Sequence, residues 1–189
     1  MADPILFAKR SSFDEFLSDY DPQVTPFFQS PSTRKTVLFG ALANRDPQAR
    51  VAMANRLLDD GADASVVTTS GVNLLHVLFS KRTHDVPAEA ALLQRLLDGG
   101  ADINRVERRD GAPLAMLYSM GGKDEDLVPF YDVIFARDDL DLDKPASRAS
   151  TVRELILHKG RYVRPRMQER VRAYDAAHGA AGRQEGEDD

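Results

Sequence analysis

The sequence contains no cysteine among its 189 residues. This absence excludes disulfide bonds, thiolate nucleophiles and metal sites built on thiolates. It suits a protein of a reducing compartment, or a periplasmic protein that never needed disulfides. Of these two locations, we expect the cytoplasm.

Long hydrophobic runs are absent too. No stretch approaches the roughly 18 apolar residues that a membrane-spanning helix needs. The basic pair Lys9-Arg10 follows a short apolar patch, whereas a secretory signal peptide carries its basic residues first. We therefore expect a chain that is neither secreted by the general route nor embedded in a membrane.

Patterns that indicate catalysis, or a metal or cofactor site, are missing as well. The acidic string at residues 139–143 has Lys144 where a calcium loop needs glycine. Gly121-Gly122-Lys123 lacks the earlier glycine and the following Ser or Thr of a phosphate-binding loop. His84, in a predicted loop, has no carboxylates at ligand spacing. We expect no cofactor, no metal and no enzymatic activity.

An internal repeat is the main positive signal. Leu57-Leu58-Asp59-Asp60-Gly61-Ala62-Asp63 returns 39 residues later as Leu96-Leu97-Asp98-Gly99-Gly100-Ala101-Asp102. A second, upstream set of short apolar segments repeats at spacings of 37, 39 and 38 residues. This set is aligned on Leu38, Leu75, Leu114 and Val152. The two sets of segments repeat with the same period and predict a stack of two-helix repeats. Gly61 and Gly100 are predicted to stand where the second helix of a repeat stops.

These segments resemble the ankyrin repeat. Asn73-Leu74-Leu75-His76-Val77-Leu78 is similar to the Thr-Pro-Leu-His-x-Ala opening of that repeat, and the Leu-Leu-Asp-x-Gly-Ala-Asp strings are similar to its end. The resemblance implies an all-α, ankyrin-like solenoid of about four helix-turn-helix repeats with short finger loops. It also implies that His76 hydrogen-bonds backbone in the finger region. The repeats exceed the usual length of about 33 residues, and the surplus falls at residues 82–86 and 121–126. These longer loops belong either to a binding face or to sequence drift.

The organisation predicted from this pattern has four parts. Residues 1–35 hold an N-terminal capping helix, opened by the capping box Ser12-Phe13-Asp14-Glu15 and running to Tyr20, and a connector with Phe27 and Phe28 packed beneath. Residues 36–160 form the repeats. Residues 161–178 form a C-terminal capping helix, and residues 179–189 are predicted to be disordered.

Charge is distributed unevenly along the chain. Residues 124–143 hold eight acidic side chains and one arginine, whereas residues 153–172 hold seven basic and two acidic side chains. Such polarity either steers a charged partner or belongs to solvated helix faces. The sequence pI of about 5.4 argues against nucleic-acid binding by the basic segment.

The ankyrin resemblance implies that finger tips and the exposed side of the first helices form a concave binding face. In this chain the corresponding candidates for contact with a protein partner are Val66, Val67, Thr68, Thr69, Ser80, Lys81, Arg105, Val106, Arg108, Arg109, Ser119, Met120, Lys144 and Arg148.

We expect a non-catalytic module that is monomeric when free and binds one dedicated protein partner, with no nucleic acid and no membrane. The sharpest hypothesis is a bacterial immunity protein that occludes the active cleft of a cognate toxin. The alternative is a chaperone or assembly factor for a secreted or enzymatic subunit.

Overall fold

The computed structural model describes the backbone of residues 3–184 and the side chains of residues 3–178. Over this range the chain forms ten α-helices and no strand longer than an isolated bridge. The helices are α1 (Pro4–Arg10), α2 (Phe13–Ser18), α3 (Val37–Leu42), α4 (Pro47–Asp59), α5 (Leu74–Phe79), α6 (Val86–Asp98), α7 (Pro113–Tyr118), α8 (Val128–Phe135), α9 (Val152–Glu154) and α10 (Pro165–Gln184). No helix in this range is both long enough and apolar enough to cross a membrane.

The helices form two layers. Helices α1, α3, α5 and α7 contact one another in sequence, and the π-helical turn Leu155–Lys159 that continues α9 packs on α7. Helices α2, α4, α6, α8 and α10 form the second layer in the same order. The predicted all-α helical repeat fold is thus confirmed.

Helices α3, α5 and α7 of the first layer are short and mostly buried, because each packs between neighbours on both sides. All six residues of α3 are buried. Gly40 lies at the contact of α3 with α1, where a Cβ atom would overlap the carbonyl oxygen of Ile5. The absence of a side chain at this position therefore lets α1 approach closely.

Helices of the second layer begin and end at identifiable residues. The Asp46 side chain accepts a hydrogen bond from the Gln48 backbone N–H (3.0 Å) at the start of α4, and Asp85 caps α6 through Ala88. After α4 and α6 the chain turns at Gly61 and Gly100, whose φ angles of 90° and 95° lie in the left-handed region. The glycine stop inferred from the repeated string is confirmed at both positions.

A short hairpin precedes each of α3, α5, α7 and α9. These hairpins span residues 29–36, 68–72, 107–111 and 145–151. Backbone hydrogen bonds join the first hairpin to the second, from Thr69 N–H to the Thr33 carbonyl (3.1 Å), and the third to the fourth, from Ala112 N–H to the Pro145 carbonyl (3.0 Å). Between the second and third, the Arg105 side chain donates to the Gly71 carbonyl. The hairpins therefore form a continuous edge of the stack.

The N-terminal end differs from the prediction. The capping box is present, with the Ser12 N–H donating to the Glu15 carboxylate at 2.8 Å, but α2 ends at Ser18. A further helix, α1, precedes it and packs on α3. The expectation that Phe27 packs beneath the connector is wrong, because its side chain is 60% exposed. Phe28 is half-buried.

The C-terminal end follows the predicted pattern more closely. Met167, Val171 and Tyr174 form the buried stripe of α10. The Tyr174 hydroxyl donates to the Leu140 carbonyl at 2.9 Å. The backbone of α10 extends to Gln184, into the segment 179–189 that was predicted to be disordered, and residues 185–189 lie outside the described residues.

Candidate functional site

An open groove of about 680 Å³ runs across the ends of α5 and α7 and the hairpins at residues 107–111 and 145–151. Five residues predicted to contact a partner border it together. They are Ser80, Lys81, Arg109, Ser119 and Met120. We call this surface the groove.

The groove combines an apolar floor with a basic rim. Ala115, Met116 and Leu155 supply apolar atoms. Arg82 and Arg109 stand at the rim, and the Arg109 side chain is 90% exposed. One nearby carboxylate, that of Asp110, lies 4.0 Å from the Arg109 guanidinium. An apolar surface bordered by charge is typical of protein interfaces.

Lys81 lies in a concentration of positive charge. Burial, followed by the nearby charges of Arg50, Lys9 and Arg45, lowers the pKa of Lys81 below its usual value. Within residues 3–178, neither Lys81 nor Arg82 forms an ion pair. This side of the molecule therefore attracts anions.

Arginines of the second layer, in contrast, are paired within the molecule. Arg95 contacts Asp59 of the preceding repeat at 2.7 Å, and Arg137 contacts Asp98 at 3.2 Å. Both contacts join neighbouring repeats. Charges on this layer largely neutralise one another, so it offers a weaker field to a partner than the groove does.

The acidic and basic segments seen in the sequence also neutralise each other. The Arg153 guanidinium lies 3.0 Å from Asp143, and Arg170 pairs with Asp132. The folded molecule therefore lacks the strong separation of charge that the sequence order suggests.

Asp124 is one member of the acidic segment that is not at the surface. Its carboxylate accepts hydrogen bonds from the Tyr131 hydroxyl (3.0 Å) and the Arg166 backbone N–H (2.6 Å). Burial and the hydrogen bond to Asp124 raise the pKa of Tyr131. The role of Asp124 is to fix the start of α10 against α8.

Several predicted partner-binding residues serve the fold instead. Val66 and Thr68 are buried, so the expectation that they are exposed finger residues is wrong. The Thr68 hydroxyl accepts a hydrogen bond from the Val72 N–H at 3.0 Å and closes the hairpin. Arg105 donates from Nε to the Gly71 carbonyl at 3.2 Å, which links two hairpins.

The remaining predicted residues lie outside the groove lining. Thr69, Val106, Arg108 and Arg148 are exposed, and Val67 is half-buried. Lys144 is paired with Asp141 at 3.2 Å. Met120, although it borders the groove, is almost completely buried.

The structure contains a buried polar network that was not predicted from the sequence. Arg50 of α4 donates to the carboxylate of Glu89 of α6, and neither side chain is exposed. The other carboxylate oxygen of Glu89 lies 2.5 Å from Nδ1 of His84. Arg50 and Glu89 are 39 residues apart, one repeat, which is the signal in the sequence that could have revealed the pair.

This network anchors the inter-helix loop that the sequence marked as surplus. Arg50 donates to the Thr83 carbonyl (3.1 Å), and Nε2 of His84 donates to the Lys81 carbonyl (3.0 Å). Arg164 anchors the equivalent loop of the next repeat through the carbonyls of Met120 and Gly122. Both longer loops, which border the groove, are therefore held by buried charged side chains.

His76 has the structural role that the resemblance implied. Its Nε2 atom donates to the Gly111 carbonyl of the next hairpin at 3.0 Å. Burial lowers the pKa of His76, so the neutral ring is favoured. Within the described residues, no group of three or more His, Asp or Glu side chains is disposed to hold a metal.

Comparisons with known proteins include a solved structure whose fold is similar to that of this chain. No protein-family model and no curated protein matches the chain. Among solved structures, it is similar to a functionally unknown protein from Leptotrichia buccalis C-1013-b, at 19% identity and a TM-score of 0.73, over 93% of this chain and 94% of that one. A human ASB11 ankyrin repeat domain aligns at 12% identity over 86% of this chain and 92% of that one, with a TM-score of only 0.31.

Proposed function

We propose that this chain is a non-catalytic, ankyrin-type module that binds one dedicated protein partner through the groove. The observation that carries the proposal is the unequal pairing of charge. Lys81 and Arg82 have no ion-pair partner among the described residues, whereas Arg95 and Arg137 of the second layer are paired across repeats.

Basic side chains that have no ion-pair partner and border an open groove favour an acidic protein partner. Carboxylates that meet them gain attraction without breaking an existing ion pair, and long-range charge increases the rate of encounter. The apolar atoms of Met116 and Leu155 on the groove floor offer area for an anchoring side chain. The partner is therefore expected to present acidic residues around at least one apolar residue.

Rigidity of the groove edges supports the same proposal. The loops that follow α5 and α7 are fixed by Arg50 and Arg164. A binding surface that is already ordered loses less conformational entropy when a partner binds. We therefore expect little backbone change in the module on binding.

The sharper form of the proposal is an immunity protein that covers the active cleft of a toxin. Support comes from the hairpin at residues 107–111, where Arg109 borders the groove and its sequence neighbour Arg108 is also exposed. Two adjacent exposed arginines are suited to contact carboxylates in an acidic cleft. Its test is growth: co-expression of this chain should protect cells from the partner, and absence of protection would contradict the immunity role.

Co-purification from the native organism, followed by binding measurements with the recovered protein, tests the general proposal. Ser119 is an exposed groove residue, and Ser119→Trp should block the groove and abolish binding of the recovered partner. Gln48→Trp, at a position of α4 outside the groove, is the matched control and should retain it. Equal binding by both variants would contradict use of the groove. A partner that is a secretion or enzyme subunit would indicate a chaperone role instead of immunity.

A further inference from the structure

The N-terminal end of the stack contains a second candidate surface, which is independent of the groove. Helices α1 and α2 and the connector after them enclose a cavity of about 490 Å³. Its walls are mainly aromatic, from Phe7, Phe16, Tyr20 and Phe28. We call it the N-terminal cavity.

Exposed apolar side chains are concentrated in the N-terminal segment that forms this cavity, and one of them, Val24, lines it. Among the described residues, six large hydrophobic side chains are exposed, and four of them lie between residues 6 and 27. They are Leu6, Leu17, Val24 and Phe27. A terminal repeat normally presents a polar outer face, so an apolar one indicates an interaction site.

The charges at the cavity are acidic. Asp19 and Asp21 line it, and within residues 3–178 neither forms an ion pair. The nearest basic residues in sequence, Lys9 and Arg10, line a different hollow beside Arg45. The cavity therefore offers two carboxylates without a cationic partner from this chain's described residues.

Tyr20 adds no negative charge of its own. Burial, followed by its hydrogen bond to Asp60 (2.5 Å), raises the pKa of Tyr20 to about 12. The phenol is thus neutral at physiological pH, and its ring remains an apolar wall. Arg56 lies over the Tyr20 ring, 5.1 Å from its centroid, but it is paired with Asp60 at 2.7 Å. Asp19 and Asp21 are the lining residues whose charge has no ion-pair partner within residues 3–178.

We propose that the N-terminal cavity binds a segment of a partner protein in which a large apolar side chain is flanked by Lys or Arg. The aromatic walls contact the apolar side chain, and the carboxylates of Asp19 and Asp21 pair with the flanking Lys or Arg side chains. A second copy of this chain is a poorer occupant. Packed head to tail, it would present Val163 as the one large exposed apolar side chain among the described residues of its opposite end, and Val163 is too small to cover an apolar surface that extends from Leu6 to Phe27.

Titration of the ¹⁵N-labelled chain with three capped hexapeptides tests the proposal. The first, Gly-Lys-Leu-Phe-Lys-Gly, has the proposed chemistry; the second replaces both lysines by glutamate, and the third replaces Leu-Phe by Ser-Ser. The first peptide should shift the backbone amides of Phe7 and Phe28 with a Kd of about 1 mM or below. The other two should bind at least about tenfold more weakly.

Two variants distinguish recognition of the charges at the cavity from nonspecific binding of the peptide. Asp19→Asn/Asp21→Asn keeps the acceptor oxygen that Asp21 offers to the Gln23 N–H, and it should weaken binding of the first peptide about tenfold. Asp14→Asn/Asp126→Asn removes the same charge from positions outside the cavity and should leave binding unchanged.

Three results would overturn the proposal. They are the absence of shifts at the cavity with the first peptide, equal binding of all three peptides, or equal binding by the two variants. Sedimentation velocity supplies a fourth: self-association that Val163→Ser abolishes would make a second copy the occupant.

Discussion

The guanidinium of Arg50 meets the carboxylate of Glu89 across the boundary between two repeats, with both side chains fully buried. Since the two residues are one 39-residue period apart, the pair is a polar equivalent of the apolar contacts that join the helices of this layer. It also holds the loop that ends beside the groove. The stability of the stack and the shape of the candidate interface thus depend on the same pair.

Glu89→Ala should destabilise the chain by about 3–5 kcal/mol, because it leaves the Arg50 charge buried without a partner. Arg50→Met/Glu89→Ala should cost about 1–3 kcal/mol less than the sum of Arg50→Met and Glu89→Ala measured singly. Urea unfolding of the four proteins measures both quantities. Arg95→Met, which breaks an exposed pair, should change stability by less than about 1 kcal/mol. A small effect of Glu89→Ala, similar to that of Arg95→Met, would contradict the role given to the buried pair.

His76 predicts a dependence of stability on pH. Burial lowers its pKa in the folded state below the ordinary value of 6.5, so below that pH the unfolded chain binds more protons than the folded one. The neutral His76 ring therefore contributes to the free energy of unfolding above pH 6.5, and this contribution is lost as the pH falls toward the folded-state pKa of His76. Urea unfolding at several values between pH 7.5 and 5 should show a decline that is smaller in His76→Gln. An identical decline in the variant would assign the effect to other groups.

Gly40→Ala tests the close approach of α1 to α3. The added methyl group meets backbone at Ile5, so we expect a loss of about 1–3 kcal/mol and faster hydrogen exchange of the α1 amides. Gly121→Ala is the control, because no atom lies within 4 Å of the point that its added Cβ would occupy, and it should be neutral within about 0.5 kcal/mol. Equal effects would mean that α1 is loosely attached.

Arg105 and Arg108 look equivalent in the sequence but not in the structure. Arg105→Met removes the hydrogen bond to the Gly71 carbonyl and should cost about 1 kcal/mol of stability. Arg108→Met, at an exposed hairpin position, should leave the free energy of unfolding unchanged. Differential scanning calorimetry compares the two. If their melting temperatures fall equally, Arg105 does not join the hairpins.

Local and periodic features of the sequence predicted the scaffold well. The repeated strings located the turns at Gly61 and Gly100, and the capping box located the start of α2. The seven residues of α1 carry no repeat signal, so the sequence pattern did not indicate this helix.

Pairwise features could not be predicted in the same way. The burial of Val66 depends on how its loop lies against the helices, and Arg105 resembles any exposed arginine until the neighbouring hairpin is placed. The acidic and basic segments neutralise each other through contacts such as that of Asp143 with Arg153, ten residues away. The fold determines which charged side chains pair in this way.

Binding of the recovered partner to two charge-reversed variants tests the central claim, that the groove is the interface. Arg82→Glu/Arg109→Glu changes two exposed residues of the groove, and Lys35→Glu/Arg172→Glu makes the same change in charge outside it. Isothermal titration calorimetry should show at least about tenfold weaker binding for the first variant, and binding within about twofold of the unaltered chain for the second. Equal affinities for the two variants, or a greater loss in the second, would contradict the claim.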